Sequence, residues 1–153
     1  MFDLRSYLPY LLNRVGFAVT DAFGEALAEA SLTVPAWRVL AILLRDGVLR
    51  IGELAELTSI ELSTLSRLVD TLQRRGFVTR KNAKNDARVV NVALTARGRA
   101  TTTALLPAAA ELENRLVAGM PASDVAELKR LLDKLYLNIT HAADGRSSES
   151  RSA

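Results

Sequence analysis

The side chains best suited to chemistry in this sequence are hydroxyls and arginines on one side of a predicted helix. From Leu62 to Gly76, apolar residues recur every three or four positions, which predicts a helix that packs by one face. The packed face consists of Leu62, Leu65, Leu68, Val69 and Leu72. The opposite face carries Ser63, Thr64, Ser66, Arg67, Asp70, Thr71 and Arg74. Hydroxyls can bond base edges or phosphates, and an arginine can pair with guanine, so this face favours entry into the major groove of DNA.

The segments around this helix predict a winged helix-turn-helix. A short helical stretch, Ile51–Thr58, precedes it, and two β-prone runs, Phe77–Lys81 and Arg88–Leu94, follow it around a turn-rich segment. Between Glu61 and Arg99 there are nine Lys or Arg residues and three acidic ones, against eleven and fourteen in the rest of the chain. The net charge of +3 is therefore a local basic patch, which indicates a nucleic-acid-binding protein.

Three acidic residues near this patch have different expected roles. Asp86 and Arg88 are two positions apart on one predicted strand, so the carboxylate can hold the guanidinium extended. A turn aspartate beside a solvated arginine also fits that spacing. Asp70 is interpreted as a structural ion-pair residue, since its charge repels phosphate and Arg67 and Arg74 lie three and four positions away. Glu61 has capping-box spacing from Thr58, but that box starts before the preceding helix ends, so the helix cap stays open.

Composition excludes several other classes of protein. The chain has no cysteine and one histidine, so disulfides, thiolate metal sites and His-built catalytic or metal sites are not expected. It contains no glycine-rich phosphate loop and no paired carboxylates, so we expect no enzyme and no cofactor. No apolar run approaches the ~20 residues of a membrane span, and the N-terminal residues lack a signal-peptide pattern. We expect a soluble intracellular protein without a membrane partner.

The whole chain is expected to be mainly α with a small β wing. Long helical patterns run from Leu4 to about Ala30 and, after Thr95 as N-cap, from Ala96 to about Met120. The second helix, Ala36–Leu44, is apolar nearly all round and should be buried. We predict helical dimerisation regions at 1–34 and 95–144, a winged helix-turn-helix at 35–94 and a disordered tail at 145–153. The terminal helices carry more leucine than the winged part can cover, which favours a homodimer.

With these motifs in place, the sequence resembles the MarR family of bacterial transcriptional regulators over Leu4 to about Ala142. The residues that carry the resemblance are Ser63–Asp70, Arg74–Val78, Asp86–Arg88 and Leu94–Gly98. The resemblance implies an obligate homodimer, palindromic operators in double-stranded DNA, usually repression, and release by a small phenolic or aromatic carboxylate ligand. It also implies a bacterial cytoplasmic, nucleoid-associated protein.

The resemblance assigns individual residues to DNA. It places Ser63, Thr64, Ser66 and Arg67 at bases and phosphates, Arg88 in the minor groove and Asp86 as the residue that orients Arg88. The full predicted DNA-contacting set is Ser63, Thr64, Ser66, Arg67, Arg74, Lys81, Lys84, Asp86 and Arg88.

A ligand pocket is implied between helices 1, 2 and 5. Its candidate lining residues are Tyr10, Arg14, Phe17, Trp37 and Arg38, and an arginine near aromatic rings suits an aromatic carboxylate. Trp37 also fits as a core residue, because it opens a buried helix. His141 is interpreted as a partly exposed dimer contact.

Two further classes compete with a ligand-responsive repressor. A ligand-independent architectural protein that coats DNA needs little base discrimination and no cavity. A structural dimer without DNA binding is disfavoured by the basic wing.

Overall fold

The computed structural model describes residues 2–83 and 86–149, and within these the side chains of 83, 86–88 and 141–149 are not described. A short 3-10 turn, Leu4–Ser6, precedes the first helix. The elements that follow are α1 (Leu8–Glu29), α2 (Val34–Asp46), β1 (Leu49–Arg50), α3 (Ile51–Thr58), α4 (Leu62–Arg74), β2 (Val78–Ala83), β3 (Asp86–Leu94), α5 (Ala96–Leu116) and α6 (Ala122–Glu149). This order confirms the predicted fold class, mainly α with a small β wing.

The small sheet is antiparallel, with β3 between β1 and β2. Leu49 of β1 pairs with Val92, and Val78 of β2 pairs with Leu94. The register of β2 and β3 shifts at Asn82 and Ala83, near the tip of the hairpin that forms the wing. The two-residue β1 adds a third strand beside the wing.

The core lies where α2, α4 and the sheet meet. Helix α2 buries Val39, Leu40 and Leu43 completely, as expected for its apolar sequence. The other buried apolar residues are Phe23, Leu27, Leu32, Ala36, Leu54, Leu65, Val69, Leu72, Phe77, Val78, Val92 and Leu105. Burying each large apolar side chain contributes about 1.5–3 kcal/mol to the free energy of folding. This cluster is therefore the main source of stability for the part of the fold that it holds together.

Two compact units divide the chain, Met1–Leu112 and Glu113–Ala153. The second contains the whole of α6, in which no described side chain from 122 to 140 is buried. No single described helix is long and apolar enough to span a membrane. Helices α1 and α2 have that length and hydropathy only when taken together, and a 75° bend separates them.

Three predicted details differ from the structure. Helix α1 begins at Leu8 and not at Leu4, because Pro9 is then in the first turn, where its missing N–H costs nothing. Leu62 is half exposed, because it is the first residue of α4 and the buried stripe starts one turn later at Leu65. Helix α6 continues to Glu149, through part of the predicted disordered tail. It can do so because each residue added to a helix that is already formed gains one backbone hydrogen bond. Residues 150–153 of that tail lie outside the described residues.

Candidate nucleic-acid interface

The start of α4 is held by the carboxylate of Glu61. Its Oε1 accepts the Ser63 N–H at 2.9 Å, and its Oε2 accepts the Thr64 N–H at 3.0 Å. The Ser63 hydroxyl donates to Oε2 as well. The Ser63 hydroxyl, followed by these two N–H groups, lowers the pKa of Glu61 from its ordinary 4.5 to about 2. Glu61 is therefore the helix cap that the sequence left open, and two of the free N–H groups of the first turn are satisfied by it.

Thr58 does not contribute to this cap. Its hydroxyl donates to the Leu54 carbonyl at 2.6 Å inside α3, and the residue is buried. Ser59 follows in a left-handed conformation, φ 54°, which ends α3 and turns the chain toward α4. The two helices are thus joined by a turn with its own hydrogen bonds.

The predicted DNA-contacting residues of α4 lie on its outer side. Ser63, Thr64 and Arg67 are exposed, and Ser66 is half-buried. Within residues 2–83 and 86–149 the Arg67 guanidinium has no protein partner, so its donors are available to a ligand. Arg74 is also exposed, but its Nη2 donates to the Thr71 hydroxyl at 3.1 Å.

A cross-link between α4 and the wing was missed by the sequence analysis. Arg80 on β2 donates from Nη1 to an Asp70 carboxylate oxygen and, at 3.4 Å, to the Ser66 hydroxyl. The expected ion-pair role of Asp70 is thus confirmed, but its partners were wrong: Arg80 takes the place of Arg67 and Arg74. Residue spacing within α4 cannot indicate this pair, because Arg80 is on β2 and the turn at Gly76 brings it to Asp70.

The wing carries the rest of the predicted set. Lys81 is exposed on β2, where it pairs with Asn91 of β3. Asp86 and Arg88 lie at the start of β3, and their side chains are outside the described residues, as is the whole of Lys84. Their predicted roles therefore remain predictions.

The other end of α4 is fixed to the start of α5. The Thr95 N–H donates to the Phe77 carbonyl at 3.0 Å, and the Thr95 hydroxyl donates to the Gly76 carbonyl at 2.7 Å. The same hydroxyl accepts the Gly98 N–H at 2.9 Å, which confirms Thr95 as the predicted N-cap. A Cβ on Gly98 would lie 1.9 Å from the Phe77 oxygen, so only glycine permits this approach.

Arg75 adds a second tie at this end. It donates to the carbonyls of Ser31 at 2.7 Å and Ala30 at 3.1 Å, just after α1. Its guanidinium also lies 4.8 Å from the centre of the Phe77 ring, with Arg97 5.1 Å away. These arginines were counted as part of the basic patch, but their main contacts are inside the protein.

The five predicted ligand-lining residues do not form one cluster within the first unit. Trp37 packs edge-on against Phe23, with ring centres 5.4 Å apart, which supports the interpretation of Trp37 as a core residue. Phe23, the residue that Trp37 contacts, is nine residues beyond Arg14 on α1, which is about 13 Å along the helix axis. The contact of Trp37 is therefore well away from Arg14. Arg38 donates to the Thr58 carbonyl at 3.0 Å.

Of the remaining candidates, only Phe17 lines an open groove on α1; Tyr10 and Arg14 are on the same helix but are not among the residues that line it. Arg14 and Phe17 are exposed, and Tyr10 is half-buried. The groove measures about 550 Å³ and is lined by Pro9, Leu12, Asn13, Gly16, Phe17 and Thr20. Among the described residues, no group of three or more His, Asp or Glu side chains is placed to hold a metal ion.

Comparisons with known proteins agree with this geometry. The model of the MarR family matches residues 32–90. The transcriptional repressor IacR of Pseudomonas putida is 30% identical, with 85% of this chain and 78% of the repressor covered. A MarR-family regulator from Silicibacter pomeroyi has 32% identity and a TM-score of 0.78 over 90% of this chain and 92% of its own. A mutant of E. coli MarR solved with operator DNA has 29% identity and a TM-score of 0.76, with 84% and 92% covered.

Proposed function

Because the chain belongs to the MarR family of transcriptional regulators, we propose that it is a homodimeric repressor that binds a palindromic operator. One observation carries the proposal: the outer face of α4 presents Ser63, Thr64 and an unpaired Arg67 beside a basic wing. A guanidinium without a protein partner is free to form the two hydrogen bonds that guanine offers in the major groove. Such a protein acts at the bacterial nucleoid in the cytoplasm.

The dimer is supported by the second unit. Leu128, Leu131 and Leu132 of α6 are each 41–42% exposed, and Tyr136 and Ile139 more so. Apolar stretches of this extent on a monomer normally mark an interface. A second copy with the same helix would cover it, and two-fold symmetry would match the two half-sites of a palindrome.

We further propose that a small aromatic carboxylate or phenol releases the repressor from DNA. The support is the groove on α1 that Phe17 lines, together with the exposed Arg14 three positions before Phe17 and Tyr10 four positions before Arg14. In this proposal Trp37 and Arg38 do not contact the ligand and affect the site only indirectly, through the position of α2. A ligand can shift the equilibrium only by the difference of its affinities for the two states. Calorimetry with aromatic acids should therefore show binding to the free protein that operator DNA weakens by the same factor, and Arg14→Ala should reduce it.

The DNA-binding proposal is tested on the intergenic DNA upstream of the protein's own gene. At fixed salt, the operator should bind about 10³–10⁷ times more tightly than random DNA. Arg67→Ala and Arg88→Ala should each weaken operator binding by about 1–3 kcal/mol, and Asp86→Ala by less. Arg115→Ala removes the same charge from an exposed site on α5 and is the matched control. Equal affinity for operator and random DNA would instead support an architectural protein.

A further inference from the structure

The first turn of α4 has an unusual distribution of hydrogen-bonding groups. The N-terminus of a helix is normally suited to bind a DNA phosphate, because its N–H groups are free and its dipole is positive. Here the Ser63 and Thr64 N–H groups are already bonded to Glu61. A phosphate at this position would meet a carboxylate, and the repulsion would exclude it. This end of the helix is therefore built to meet something other than the DNA backbone.

The bonds within this turn leave free acceptor capacity on two exposed residues. An ionised carboxylate has no hydrogen to donate, so the Ser63 hydroxyl must be the donor in its bond to Glu61. With its hydrogen engaged, the Ser63 oxygen has only lone pairs to offer. Glu61 Oε1 accepts one N–H, so it keeps capacity for a second bond. Both residues are exposed.

In the major groove, only two groups can donate to such a pair. They are the N4 amino group of cytosine and the N6 amino group of adenine. Adenine presents its N7 acceptor beside N6, and that lone pair opposes a second acceptor on the protein. Cytosine has no acceptor at its own major-groove edge, so one acceptor on the protein can take its free N4 hydrogen and the second meets no opposing lone pair on that base.

We propose that Glu61, flanked by the Ser63 oxygen, reads sequence by accepting the one N4 hydrogen that pairing with guanine leaves free on one cytosine in each half-site. The inference rests on the proposed operator binding and adds a specificity-determining residue to it. Arg67, one turn later, supplies only donors and is suited to guanine. Helix α4 thus presents hydrogen-bond acceptors at its start and, one turn later, the donors of Arg67.

The test is selection of bound sequences from a random DNA library by the full-length protein and its variants. The wild type should enrich a cytosine at one position of each half-site. Glu61→Gln should change that position toward adenine, because a glutamine amide matches both N6 and N7 of adenine. Glu61→Ser keeps a preferred helix cap but removes the carboxylate, so its preference for cytosine should fall by about 5- to 150-fold. Glu61→Asp should retain cytosine.

The matched control is Glu53→Gln. Glu53 also accepts a backbone N–H at the start of a helix, from Arg50 at 2.9 Å, and the charge change is the same. This variant should enrich the wild-type sequence. If Glu61→Gln and Glu61→Ser enrich the same bases as the wild type, or if the position they alter is not cytosine, the inference is wrong while operator binding stands. If the wild type enriches no sequence, the proposed function itself fails.

Discussion

The winged helix-turn-helix, from α2 to β3, and helix α6 treat their leucines in opposite ways. Leu43, Leu54 and Leu65 of the winged part are completely buried within the single chain. In α6, Leu128 and Leu131 are each 42% exposed, and no described side chain from 122 to 140 is buried. The leucines of the winged part are thus covered within one chain, whereas those of α6 are left exposed and are the ones that we propose a second copy covers.

The polar contacts follow the same division. In the winged part and the segments directly next to it, Arg75, Arg80 and Thr95 each join segments at least ten residues apart, by bonds to carbonyls or to Asp70. In the second unit, the ion pairs Lys129–Glu113 and Arg130–Glu127 lie on the exposed surface. Exposed pairs of this kind contribute little to stability.

The largest effect should come from a charge on the apolar side of α6. Leu131→Glu places a carboxylate in the proposed interface, and an unpaired buried charge costs about 3–5 kcal/mol. We expect a monomer in analytical ultracentrifugation at concentrations where the wild type is a dimer, with operator affinity lost. Ala126→Glu introduces the same side chain on the opposite side of the helix, at about 3.6 residues per turn, and should remain dimeric. A folded Leu131→Glu protein that is still a dimer would remove α6 from the interface.

A smaller loss is expected at the closure of the winged part. Gly98→Ala directs a methyl group to within 1.9 Å of the Phe77 carbonyl oxygen, which is itself held by the Thr95 N–H. The backbone must shift, and we expect the free energy of unfolding to fall by about 1–3 kcal/mol in urea titrations. Gly52→Ala is the control: its Cβ meets nothing within 4 Å on the exposed side of α3, so a gain of about 0.5–1 kcal/mol is expected. Equal effects at both glycines would show that the backbone at Phe77 moves away from a Cβ at position 98 at little cost.

The cross-link between α4 and the wing should be worth less again. A double-mutant cycle with Arg80→Ala and Asp70→Ala should give a coupling of about 0.5–1 kcal/mol, because the Arg80 side chain is only 26% exposed. The same cycle on Lys129 and Glu113, which are 63% and 57% exposed, should give a smaller value. If the α6 pair proves the stronger, the proposed difference between the two regions does not extend to their ion pairs.

Sequence patterns predicted those features that depend on neighbours along the chain. The apolar sequence of α2, the stripe from Leu65 to Leu72 and the hairpin order are local signals, and the structure contains all three. The Asp70–Arg80 pair and the Arg75 contacts depend on how distant segments meet, so no spacing within one helix indicates them. Glu61 was not identified as the cap for another reason. Glutamate is not among the preferred N-cap residues, and Thr58, which is, bonds inside α3 instead.

The smallest effect concerns the start of α4 and its dependence on pH. The pKa of Glu61 falls from 4.5 to about 2 because its carboxylate accepts the Ser63 hydroxyl and two N–H groups. Folding thus favours the ionised form, so the contribution is fully present above about pH 4.5 and is lost as the pH falls toward 2. Comparing urea unfolding of the wild type and Glu61→Gln at each pH cancels the other acids, which titrate in both proteins. The stability difference should be constant from pH 7 to about 5.5 and should shrink steadily below 4.5. A difference that stays flat down to pH 2.5 would mean that the cap is not formed in solution, and the winged part would then be less self-contained at its DNA-facing end than at Gly98.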